Sequence, residues 1–235
     1  MEFTKDTFTL FCNILDSISK YCSDCEIKDG RIRIRSNNKA IMYDLELPFQ
    51  LSLPISSVGN FVDILKIFQP DENNPLVLNI TPENKIILHD KFTDIMLDLP
   101  ILDVLQNRFV EDNALEQVGF FQKTEVFSTE LPEVIFTRIK TVSKNFATSI
   151  ITLNVDNGTA QITIRSESKT KIAKFNIPST ECKLEDGTYL VPFALIDFPF
   201  NTPLYFKIFR LSTENLLSCM HDSSYNIYSG VVRES

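Results

Sequence analysis

Residues 3–48 read FTKDTFTLFCNILDSISKYCSDCEIKDGRIRIRSNNKAIMYDLELP, and this stretch sets the architecture. Phe8, Phe11, Leu15 and Ile18 recur at helical spacing, and Leu10 and Ile14 widen the same apolar face. Residues 5–19 therefore read as an amphipathic helix, preceded by a short strand at 2–4. Behind the helix the period changes from helical to alternating. Residues 22–28, 31–36 and 40–46 read as strands, with Asp29-Gly30 a tight hairpin turn and Asn37-Asn38 the next turn.

The order strand, helix, three strands then begins again. Residues 50–54 are strand-like, and 57–68 form a helix with Phe61, Ile64, Leu65 and Phe68 on one face, stopped by Pro70. Strands follow at 76–81, 85–89 and 93–99. A third cycle has a strand at 120–127 and a helix at 131–145 with Pro132 in its first turn. That helix carries a stripe of Leu131, Ile135, Ile139, Val142 and Phe146. Its strands are 149–155, 159–166 and 171–177. The fourth cycle is the most degraded: a strand at 188–191, a brief helix at 193–198 between Pro192 and Pro199, then strands at 203–210, 215–220 and 224–232.

Residues 100–118, ILDVLQNRFVEDNALEQ at their centre, fit neither period and read as a connector. The chain thus divides into a domain at 1–100, a connector at 101–118 and a second domain at 119–235. The fold class is α+β: two similar domains, each of two strand-helix-three-strand units, with helices on one face of antiparallel sheets.

This arrangement resembles the sliding clamps, above all the two-domain, trimeric kind of T-even-type phages and of the proliferating-cell nuclear antigen group. The opening helix, the DG hairpin and the strands after it carry the likeness, which spans nearly the whole chain as an order of elements. The connector lacks the Leu-Gly-Ile-Pro-Glu-like stretch of the cellular eukaryotic clamps, which favours a phage or viral member. The resemblance implies a homotrimeric ring around double-stranded DNA, held without reading its sequence. It also implies a DNA polymerase and a clamp loader as partners, sheets continued across subunit boundaries by edge pairing, and no cofactor.

Composition agrees with a binding protein. Of 235 residues, 43% are hydrophobic and 23% charged, as in an ordinary globular chain. No apolar run approaches the roughly 20 residues that span a bilayer, and MEFTKDTF lacks the regions of a signal peptide. We expect a soluble protein with no membrane partner, cytoplasmic, within the infected host cell if viral. Cys22 and Cys25 form a CxxC without a second ligand pair, and the two histidines, His89 and His221, stand apart. The five cysteines read as reduced structural thiols, with no metal. Six glycines leave little room for a phosphate-cradling loop, and no nucleophile elbow is present, so catalysis is not expected.

The net charge of −8 excludes a surface that grips nucleic acid all round, though not a basic patch within an acidic shell. In the resembling family, basic residues on the solvent face of the helices meet phosphates. Here the candidates are Lys140, Lys144 and Arg138 on the third helix, Lys66 on the second, and Lys5, Asn13 and Lys20 on the first. Glu133, Asp63, Asp6 and Asp16 share those faces. Arg31, Arg33 and Arg35 alternate with Ile32 and Ile34, which places them on the outer sheet surface rather than among the helices. Arg165 turns outward by the same argument. The family's peptide pocket beneath the connector would correspond to Ile41, Tyr43, Leu102, Leu105, Val231 and Val232, each of which also suits plain core or strand packing. Two other readings stay open: a β-rich viral structural or assembly protein, and a monomeric processivity factor of the same fold.

Overall fold

The computed structural model describes the chain apart from Ser149, Lys169, residues 179–180, 193–197, 201–202 and 212–214, and Ser235. Two compact units emerge: Met1–Lys39 with Asp44–Val110, and Ala40–Tyr43 with Glu111–Ser235.

The first unit opens with β1 (Glu2–Phe3) and α1 (Lys5–Ser19). Thr4 caps α1, its side chain accepting from the Thr7 N–H, and Asp6 sits favourably in the first turn. The expected apolar stripe is buried: Phe8, Phe11, Ile14, Leu15 and Ile18 all face inward. Phe3 stacks on Phe11 at 5.4 Å and meets Phe49 edge-on at 5.5 Å, locking the first strand to the helix. β2 (Cys25–Lys28), β3 (Arg31–Arg35), β4 (Ile41–Glu46) and β5 (Leu53–Ile55) follow. Asp29 and Gly30 both have positive φ, as the two-residue hairpin requires. A Cβ at Gly30 would come within 2.6 Å of the Phe49 carbonyl oxygen, so only glycine fits.

α2 (Val58–Leu65) packs on α1, burying Val58, Phe61, Val62 and Leu65. β6 (Leu76–Ile80), β7 (Lys85–His89) and β8 (Asp94–Asp98) complete the unit. β1, β6, β7 and β8 form an antiparallel sheet in that order, with β1 and β8 as its outer strands; β5, β2 and β3 pair consecutively in another, β3 also joining β4.

The second unit begins with α3 (Asp112–Gln117), then a 3-10 turn at Phe120–Gln122 and β9 (Thr124–Leu131). α4 (Glu133–Phe146), β10 (Ile150–Asp156), β11 (Thr159–Arg165), β12 (Ile172–Ile177) and β13 (Glu181–Cys182) come next. The chain ends with β14 (Gly187–Pro192), β15 (Leu204–Arg210), β16 (Leu216–His221) and β17 (Tyr225–Arg233). Strand order is β12-β11-β10-β14-β17-β16-β15-β9-β13, and β12 is an outer strand. α4 lies against β11 and β12. Its Ile139 joins Phe127, Ile151, Ile162 and Phe206 in a fully buried core.

Three expectations change. Residues 120–122 form a 3-10 turn rather than the start of a strand, because Phe120 buries itself edge-on against Tyr228 at 4.9 Å. Leu131 closes β9 and does not start the helix; its apolar side chain pairs in register with Leu204 of β15. Pro132 is then the residue before α4, where its missing N–H costs nothing. The connector is not featureless, since it holds a 3-10 turn at Leu102–Val104 and the six-residue α3. The brief helix expected at 193–198 falls almost wholly outside the described residues.

Candidate nucleic-acid interface

The three long helices and their C-caps carry six basic residues (Lys5, Lys20, Lys66, Arg138, Lys140, Lys144) against four acids (Asp6, Asp16, Asp63, Glu133). They are therefore net +2 within a chain of −8, leaving −10 on everything else.

The basic residues are not distributed evenly. α4 buries Ile139 and Ser143, with Ile135, Phe136, Val142 and Phe146 half-buried around them. Lys144 and Arg138 are exposed, while Lys140 is half-buried on the flank of the helix opposite Arg138. Thr137, Thr141 and Val134 fill the exposed face between them. Glu133, its one acid, sits in the first turn, where the helix dipole favours it, at the end remote from Lys144. In the first unit Lys5, Asn13, Lys20 and Lys66 are all exposed. Lys66, at the C-cap of α2, donates to Asp16 Oδ1 of α1 at 3.0 Å and lies 3.9 Å from Asp63 Oδ1. That hydrogen bond to Asp16 raises the Lys66 pKa, with the Coulombic pull of Asp16 adding to it.

The arginine strand is resolved differently from a plain outer sheet face. Ile32 and Ile34 are fully buried, and the arginines take the other side of β3. Arg31 is exposed and forks onto Asp44 through Nε at 2.7 Å and Nη2 at 2.9 Å. Arg33 is only 5% exposed. Its Nε reaches Asp44 Oδ1 at 3.3 Å, and Phe109 lies 5.7 Å from its guanidinium on one side while Lys28 approaches the same ring at 5.5 Å. The arginines lie on the sheet face opposite the isoleucines, and Arg33 is buried there because the end of the connector folds over it.

Asn107 anchors that fold-over. It is 3% exposed, its Oδ1 accepts from the Asp24 N–H at 3.1 Å, and its Nδ2 donates to the Arg35 carbonyl at 2.7 Å. Asp24 accepts the Gln106 N–H, Glu26 accepts the Phe109 N–H, and the Val110 N–H donates to the Arg33 carbonyl at 2.7 Å. Upstream of this anchored run, Ile101, Leu102 and Val104 stand exposed. Of the expected peptide-pocket residues, Leu102 in the first unit and Val232 in the second are exposed; Leu105, Ile41, Tyr43 and Val231 are buried. Sequence periodicity gave no signal for Asn107 or Phe109; a polar residue in an aperiodic segment looks like any loop residue.

Two of the outer strands, β8 and β12, carry exposed apolar side chains. On β8, Asp94 and Asp98 point outward with Met96 60% exposed between them; on β12, Lys174 and a 55% exposed Ile172 do the same, next to Lys171. Beneath β8, between it and α2, lies a cleft of about 280 Å3 lined by Phe61, Ile64, Ile86 and Leu97 among others.

Cys12, Cys22, Cys25 and Cys219 are buried free thiols, and Cys182 is half-exposed. Among the described residues no group of three or more His, Cys, Asp or Glu side chains is placed to hold a metal ion, and no helix is long and apolar enough to cross a membrane.

No family model and no curated protein matches the chain. Solved structures do. It is similar to the proliferating cellular nuclear antigen of Entamoeba histolytica at 13% identity, over 97% of this chain and 96% of that one, with a TM-score of 0.61. It is also similar to a chain of the PCNA2-PCNA3 complex of Sulfolobus tokodaii at 14% identity, over 100% and 99%, with a TM-score of 0.64. At such identities the likeness is one of fold, and it extends from end to end: the chain has the α+β DNA-clamp fold.

Proposed function

We propose that this chain is a sliding-clamp subunit. Three copies close head to tail around duplex DNA, and the ring tethers a DNA polymerase for processive synthesis without catalysing any step itself. The observation that carries the reading is that β8 and β12 are outer strands with exposed apolar side chains. An exposed strand edge with apolar side chains is an aggregation hazard unless something pairs with it. β8 presents acids and a methionine, β12 presents lysines and an isoleucine, and the two surfaces differ, so copies join heterologously. Heterologous contacts that turn through a closed rotation make rings.

The DNA-facing surface on this reading is the helix face. Sequence-independent holding needs cations aimed at phosphates and water between, not base contacts. Lys144, Arg138 and Lys140 on α4 supply most of it, with Lys5, Lys20, Lys66 and Asn13 minor. The polymerase and other partners dock short peptides on the ring, and a clamp loader opens it. The source is a phage or virus.

The test is product length. A polymerase carrying the cognate peptide should make longer products when the protein can thread over a free DNA end, and should gain nothing on closed circular templates without a loader. Lys140→Ala with Lys144→Ala should shorten dwell on DNA while leaving the assembly intact. Equal stimulation on both templates would refute encirclement.

A further inference from the structure

Each unit has a core of helix over sheet that is left open at an outer strand. In the first unit the cleft of about 280 Å3 runs between α2 and β8. Of its lining residues Phe61 and Ile86 are buried, whereas Ile64 and Leu97 are half-exposed. Leu97 stands opposite Ile86 in register, so it points to the buried side of the sheet and is wet only because β8 is the last strand. The second unit does the same at β12, which α4 lies against. Phe175 of β12 stands opposite the buried Ile162 in register, yet it is half-exposed. On α4, Phe136 packs edge-on against Phe200 at 6.3 Å, and Phe200 leads through Phe198 to Tyr225 of β17. That flank of α4 therefore looks toward β17, away from β12. Ile135 and Val142 lie on the other side of the buried Ile139 and are half-exposed as well.

We infer that these two open cores close on each other between copies: the cleft of one chain takes in Val142 and Phe175 of the next, so that the joint is a shared apolar core and not a strand edge alone. The inference rests on the ring reading above. Strand side chains alternate between faces, so an edge joint that keeps Leu97 and Phe175 on one face brings Asp98 and Lys174 together on the other. The charges there are opposite: β8 carries Asp94 and Asp98, and β12 carries Lys174 just after Lys171. Asp98 already lies 3.0 Å from Lys85 Nζ, yet with 86% of its side chain exposed it has room for a second cation. The occupant that matches the cleft on both faces of the sheet is a second copy of this chain. A joint of exposed ion pairs would loosen as salt rises; one that also buries apolar side chains holds, because that burial does not depend on charge.

Absolute mass against concentration reads the joint. Ile64→Ala and Val142→Ala should each raise the concentration at which the assembly comes apart by at least about tenfold, at about fourfold for each methylene taken out of water. Ile67→Ala and Phe121→Ala remove exposed apolar side chains from the same two units, away from β8 and β12, and should leave that concentration unchanged. Contact itself is read by mixing. Protein carrying Ile64→Cys and protein carrying Val142→Cys, both also Cys182→Ser, are assembled together and treated with a short bifunctional maleimide. A pair of chains linked through positions 64 and 142, mapped by proteolysis, is expected; Ile67→Cys mixed with Phe121→Cys should give none. Absence of the link in a mixture that has the mass of the assembly would overturn the inference, as would alanine variants that assemble like the unaltered protein. If the unaltered protein keeps the mass of one chain at every concentration, the ring reading fails and the shared core with it; if it assembles without the link, only the shared core fails.

Discussion

Asn107 Nδ2 donates to the Arg35 carbonyl at 2.7 Å across 72 positions of sequence, while Asn107 Oδ1 accepts the Asp24 N–H at 3.1 Å. One buried amide therefore satisfies a carbonyl on β3 and an N–H just before β2, and pins the connector to both. The carbonyl it serves belongs to the end of β3, where the described pairing with β2 has already stopped at Ile32.

Replacing Asn107 with Ala takes this acceptor from the Asp24 N–H and leaves the Arg35 carbonyl with the weak Cys22 Sγ donor at 3.8 Å. A part-buried group that loses its partner costs about 1–3 kcal/mol, so Asn107→Ala should lower the urea-unfolding free energy by about 1–3 kcal/mol. It should also speed protease cleavage within residues 100–110. Unchanged stability would mean that water replaces the amide without loss.

Asp44 serves two arginines of unequal burial. Asp44→Ala takes the carboxylate away from Arg33, which is 5% exposed, and should destabilise by about 3 kcal/mol. Arg31→Ala removes an exposed partner and should cost less than about 1 kcal/mol. Chemical denaturation of the two variants side by side checks the order; equal losses would refute it.

The buried thiols make the fold sensitive to alkali. Burial pushes Cys12 up to about 11 and Cys22 and Cys219 up to about 12, from an ordinary value of 9.0, and raises Cys25 well above it; Tyr225 is pushed up by burial to about 12. A group whose pKa is higher when folded contributes stability that is complete below its unfolded value and is lost as pH rises through the folded one. Stability should thus be level from pH 7 to about 8.5 and fall between about 9 and 12. At pH 8 a thiol reagent should label Cys182 first, the buried four reacting only on unfolding. Rapid labelling of all five in the native protein would contradict this.

The outer strands can be blocked singly. Ile172→Lys places a charge at the first residue of the open strand β12, the device by which proteins prevent strand addition. It should convert the assembly to monomers at micromolar concentration while changing the unfolding free energy of the isolated chain by no more than about 0.5 kcal/mol. Met96→Lys on β8 should do the same from the other side. A variant that stays assembled would exclude that edge from the interface.

Much of this fold was legible in the sequence because its helices and strands keep strict periods. The spacing from Phe8 to Ile18 marks α1 at its true bounds, and Asp29-Gly30 marks its hairpin, since each rests on local chemistry. Local chemistry misled where an apolar residue served two patterns: Leu131 fits a helical stripe as well as a strand end, and only its partner Leu204 decides. The cover over Arg33 could not be read at all, because it depends on Phe109 arriving from 76 positions away through an aperiodic connector. On the candidate interface, residue types and faces were readable, but the capture of Lys66 by Asp16 depends on how α1 packs on α2, which no single helix reveals.

The central claim is a closed ring of three identical chains, and absolute mass in solution tests it most directly. Light scattering on the unaltered protein should give three times the 26.9 kDa chain mass, constant over a wide concentration range and retained at moderate salt. A steady 26.9 kDa at micromolar concentration, or a mass that climbs with concentration without a plateau, would contradict the ring.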